Sequence, residues 1–136
     1  MEPSTGLATR RNIYAATGAA LTVGALTYVG IADPHRHDSL YPPCPFKLLT
    51  GLNCPACGGL RMTHDLLHGN LSAAVVDNVF LLITIPALLA WILWRRRAGR
   101  PPVTRATYIV VAAAALIWTV VRNMPGFPLV PTIYPG

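Results

Sequence analysis

Residues 72–94 read SAAVVDNVFLLITIPALLAWILW, and Asp77 is the single charge among them. About 20 consecutive apolar residues cross the hydrocarbon core of a bilayer as a helix, so this run reads as a membrane span. Asp77 and Asn78 fall in its first turns, where the interface is expected. Trp91 and Trp94 mark the opposite interface, a position indole rings favour. Pro86 lies mid-span and predicts a bend that frees the Leu82 carbonyl.

Working outward, residues 13–31 carry no charge and form a second apolar run. A secretory signal peptide also begins basic and continues apolar, but this run is long for one and lacks a clear cleavage site before Asp33. An uncleaved span is therefore expected. Ala16, Ala20 and Gly24 recur every fourth residue, a small-residue stripe that lets another helix approach closely. On the other side, Arg95, Arg96, Arg97, Arg100 and Arg105 lie in a connection broken by Gly99, Pro101 and Pro102. Thr104 is a plausible N-cap for a third span over 104–122. The last stretch, 124–136, has four prolines and no charge. It should run irregularly and rest its apolar side chains on lipid or on another protein. Phe127, Leu129, Ile133 and Tyr134 are the expected partner-binding residues there.

Composition agrees with this reading. The chain has 136 residues, is 53% hydrophobic and only 12% charged, and its mean hydropathy is +0.46. Soluble domains carry about twice that charge. The expected fold is thus one all-α membrane domain over 1–136, with spans at 13–31, 72–94 and 104–122. An external segment at 32–71 would carry a short interfacial helix. The net charge of +6 does not point to nucleic acid, because the arginines cluster at the ends of apolar runs and no aromatic residues interleave with them. Placed that way they orient the spans. The positive-inside rule puts the N-terminus and the arginine-rich connection in the cytoplasm, and the cysteine segment and C-terminus outside.

All three cysteines lie between the first two spans, in CPFKLLTGLNCPACGGLRMTHDLLHGN (44–70). On the oxidising side of a membrane, three cysteines allow one disulfide and leave a thiol over. A structural disulfide would join Cys44 to Cys54 or Cys57, with Cys54 slightly favoured, whereas Cys54–Cys57 would be a redox-type CxxC. A second reading is zinc, held by Cys54, Cys57, His64 and His68, since the two histidines would share a helix face. A third is a thiol oxidoreductase, with Cys57 opening a helix whose dipole favours a thiolate, although no thioredoxin-like βαβ pattern surrounds it. Gly58 excludes a c-type haem box, which requires histidine at that place. Helical spacing over 58–68 pairs Arg61 with Asp65 at i, i+4, and Gly69-Asn70 closes that helix. His35 and His37, in the proline-rich loop before Cys44, read as solvated.

These motifs resemble the domain of unknown function 2752 (DUF2752) family of small bacterial membrane proteins. The family pattern runs CPF, a Thr-Gly pair, CPxCGxTR, an LLHGD-like turn and a helix with an Asn-Pro step. It is matched by Cys44, Pro45, Thr50, Gly51, Cys54, Pro55, Cys57, Gly58, Gly59, Arg61, Leu67, His68 and Gly69. Leu60, Asn70 and Val79 depart from it, standing where the family usually has Thr, Asp and Pro. The resemblance implies no general activity. Some actinobacterial members look like accessory subunits of the cytochrome bcc–oxidase supercomplex, and a chain whose basic residues are all arginine except Lys47 fits a high-GC genome. The expectation is a non-catalytic accessory subunit of a bacterial membrane complex, partnered by other integral membrane subunits and lipid, with no cofactor. The competing expectation is an envelope thiol-redox or zinc-binding protein using the CPAC segment.

Overall fold

The computed structural model describes residues 4–36 and 41–129. Five helices follow one another: α1 (Ser4–Ile31), α2 (Pro45–Thr50), α3 (Gly59–Leu67), α4 (Leu71–Arg97) and α5 (Arg105–Arg122). No strand occurs among the described residues. Three of the helices, over Thr9–Ile31, Leu71–Arg97 and Arg105–Arg122, are long and apolar enough to cross a membrane. The chain is an all-α, multi-pass membrane protein.

Local chemistry sets the helix ends. Gly69 ends α3 at φ +74°, and the Asn70 amide bonds the Asp65 carbonyl at 2.8 Å while the Gly69 amide bonds that of Leu66. This is a Schellman closure, which uses glycine because other residues pay for a left-handed backbone. Asn70 then starts α4 at once, its side chain accepting from the Ala73 amide. Thr104 caps α5 in a reciprocal box with Thr107, which satisfies amides that a helix start leaves open.

A break in α4 lies at Asn78 (φ −162°, ψ 81°), and Pro86 stands inside the helix beyond it. Asn78 interrupts the helix and restarts it: its Oδ1 accepts from the Leu81 amide at 3.0 Å, the bond an N-cap makes. Its Nδ2 meanwhile donates to the carbonyls of Pro55 and Cys57, both at 3.0 Å. The kink therefore ties α4 to the CPAC turn.

Helices α1 and α4 pack on α3, and α5 joins them through Arg122 at the Cys57 and Asp77 carbonyls. Helix α1 reaches α3 through its last turn, where the Val29 carbonyl meets His64 and Gly30 lies near Leu67. Helix α4 packs on α3 with its first turns, and α5 arrives with its last. Trp118 of α5 stacks on Phe80 of α4 with ring centroids 5.7 Å apart. Away from this junction the helices separate. Every described α1 side chain from Thr9 to Tyr28 is exposed, and an apolar groove of about 500 Å³ lies between α4 and α5, lined by Ile83, Leu88, Trp91 and Val110 among others.

Candidate functional site: a buried polar junction beside three thiols

Polar groups, and few apolar ones, fill the junction. His35 is 3% exposed, Asp77 0% and Arg122 4%. His35 was read as solvated and is buried, because its ring inserts between carboxylates from three segments. Nδ1 lies 2.9 Å from Asp33 Oδ1, and Nε2 lies 3.0 Å from Asp77 Oδ2 and 3.5 Å from Asp65 Oδ2. A ring protonated at both nitrogens donates to either side. Burial pushes the Asp33 carboxyl up, but hydrogen bonds from the His35 amide and ring outweigh it and hold Asp33 below the usual carboxylate value.

Arg61 was expected to pair with Asp65. It turns instead to Asp77, its Nε 3.4 Å from Oδ1, while Asp65 faces His35. Arg122 is the last residue of α5. It is folded inward and donates to the Cys57 carbonyl and, at 2.8 Å, to the Asp77 carbonyl. Next to it Asn123 and Asn53 exchange bonds: the Asn53 amide donates to Asn123 Oδ1 at 2.8 Å, and Asn123 Nδ2 donates to the Asn53 carbonyl at 2.9 Å. Charge is therefore buried near span ends, at Asp77 and Arg122. Both are spent on holding segments together, since a buried charge is tolerable only when paired or hydrogen-bonded.

At the same CPAC turn, Cys44 joins Cys54 and Cys57, and the three thiols gather. Sγ atoms of Cys44 and Cys54 lie 3.4 Å apart, and those of Cys54 and Cys57 lie 2.9 Å apart. The Cys54 amide also donates to Cys57 Sγ at 3.2 Å. All three line a cleft of about 380 Å³ with Pro34, Lys47 and Arg61. The Lys47 backbone amide, and after it the Cys54 thiol, lower the Cys44 thiol below its ordinary value. Burial, followed by the Cys54 hydrogen bond, pushes the Cys57 thiol up to about 12. At neutral pH, reduced and metal-free protein should thus alkylate at Cys44 before Cys57, because the thiolate is the nucleophile. Timed maleimide labelling with peptide mapping checks this, and faster labelling of Cys57 would contradict it.

Cys44, Cys54 and Cys57 share one site, and Cys54 touches both others. His64 and His68 stack with each other, ring centroids 4.2 Å apart, but belong elsewhere: His64 Nδ1 bonds the Val29 carbonyl at 2.8 Å, and His68 Nδ1 bonds the His64 carbonyl. Among the described residues the metal-competent groupings keep the cysteines apart from these histidines. In the tail, Phe127 packs edge-on against Trp118 at 5.6 Å and Leu129 is half-buried. Ile133, Tyr134 and His37 lie outside the described residues.

Residues 44–92, which span α2, the CPAC turn, α3 and most of α4, match the family model described as Protein of unknown function (DUF2752). Over that segment the chain is similar to the DUF2752 family. No curated protein and no solved structure matches it. The matched segment contains the three cysteines, Arg61, Asp65 and Asp77 of the junction. The family's Asn-Pro step also acquires a physical reading. An N-cap Asn78 followed by the first helical position is where proline fits best, and in this chain Val79 occupies it.

Proposed function

We propose that this protein is a non-catalytic accessory subunit of a larger bacterial membrane complex. The observation that supports this reading is α1. Its side chains from Thr9 to Tyr28 are all exposed, so along that length the span is open to a partner helix. It carries the Ala16, Ala20 and Gly24 stripe, and a Cβ built on Gly24 meets nothing within 4 Å. Between helices in lipid, van der Waals packing of such small residues is a main source of association. The junction's buried charges fit a scaffold: each contacts backbone or another charge of the junction, and together they clamp three span ends. The cytochrome bcc–oxidase supercomplex is the specific partner we favour, on the family resemblance. The N-terminus in the cytoplasm and the C-terminus outside, in the plasma membrane, follow from the arginine distribution.

The test uses the stripe. Ala20→Leu with Gly24→Leu fills open space, so the chain should insert and fold as before. Its yield of co-purifying integral membrane proteins, isolated from native membranes in mild detergent, should fall several-fold. Undiminished recovery of the same partners would remove the stripe as the docking surface and, with it, the support for the subunit reading.

A further inference from the structure

We propose that Cys44, Cys54 and Cys57 together bind a zinc ion as thiolates, at a site open to the cleft. The three Sγ atoms lie within 4.8 Å of one another. At a zinc–sulfur distance of about 2.3 Å, tetrahedral thiolates stand about 3.8 Å apart. Closing on an ion therefore asks the Cys54–Cys57 and Cys44–Cys54 pairs to spread slightly from 2.9 and 3.4 Å.

The frame around the thiols suits an ion. Cys54 and Cys57 have the C-x2-C spacing of structural zinc ligands and sit on one tight turn, closed by the Cys57 amide on the Cys54 carbonyl at 3.1 Å. Gly58 follows at φ +84° and sends the chain into α3. The CPAC turn is fixed from behind by Asn78 and Arg122, whose bonds hold the Pro55 and Cys57 carbonyls. Cys44 comes from a separate segment, immediately before α2, and supplies the third sulfur. A structural disulfide needs two of these thiols and gives no reason for the third to converge on them.

Charge balances as well. Binding releases three thiol protons to solvent and leaves a site with a net charge of −1 once the zinc is counted. Lys47 and Arg61 line the same cleft and offset it. The fourth coordination position faces the cleft, where water or a partner side chain can enter. This ligand set replaces the histidines of the CPAC-plus-histidine reading with Cys44.

The full chain, purified in mild detergent with reductant and stripped with chelator, is titrated with zinc. Metal analysis after desalting should find stoichiometric zinc, and cobalt in its place should give a thiolate-to-cobalt charge-transfer band. Cys44→Ser should weaken zinc binding at least tenfold, and His68→Ala should leave it unchanged. Because a serine variant can misfold, the wild-type chain carries a second readout: zinc should protect Cys44 from maleimide. Wild-type zinc affinity in Cys44→Ser, or alkylation of Cys44 at the same rate with and without zinc, would overturn the site. So would a native disulfide among the three cysteines in protein that takes up no zinc after reduction.

Discussion

Asp77→Ala should unfasten the junction and cost about 3–5 kcal/mol, the usual result of removing one member of a buried charged set. Asp77 is wholly buried. Its Oδ2 meets His35 Nε2 at 3.0 Å and its Oδ1 faces Arg61 Nε at 3.4 Å. Alanine removes both contacts and leaves a largely buried imidazole and guanidinium facing a hole. Asp77→Asn keeps the shape and one acceptor, so it should cost less than alanine. Thermal unfolding in mild detergent, followed by helical signal and by proteolysis between α1 and α4, measures both. If Asp77→Ala melts with the wild type, the carboxylate does not hold the junction.

The spans were legible because their signal is local. An apolar run of bilayer length needs no knowledge of neighbours, and the Gly69-Asn70 and Thr104 boundaries are written in residues with strong backbone preferences. The junction was hidden for the opposite reason. His35 sits in a short polar loop with Asp33, Pro34 and Arg36, a pattern that on its own means solvent. Only the arrival of α3 and α4 from elsewhere in the chain buries it. Asp77 and Arg122 lie near the ends of apolar helices, where interfacial anchoring and inward burial look alike. Asn78 offered the best missed clue: a cap-forming side chain inside an apolar run, at the family's Asn-Pro step, marks a helix restart as well as an interface. The sequence grouped the cysteines by spacing but could not choose between histidine and Cys44 as their companion, because that depends on how the 44–54 segment folds back.

Gly58→Ala tests how closely the CPAC turn must approach α4. Gly58 has φ +84°, and a Cβ there would stand 2.5 Å from the Asp77 carbonyl oxygen, 3.2 Å from its carbon and 3.4 Å from Arg122 Nη2. Two costs combine. A left-handed backbone costs a non-glycine residue about 1–2 kcal/mol, and forcing an extra group into a packed site costs about 1–3 kcal/mol. The carbonyl cannot swing aside freely, since Arg122 bonds it at 2.8 Å. Gly69→Ala supplies the comparison. Gly69 has a similar φ of +74° but meets nothing within 4 Å, so it should lose only the backbone part, about 1–2 kcal/mol. Gly58→Ala should therefore melt well below Gly69→Ala, and it should also loosen Arg122, exposing the CPAC turn to protease. Equal losses in the two variants would mean that the backbone angle alone calls for glycine, and that the turn can retreat from α4 at little cost.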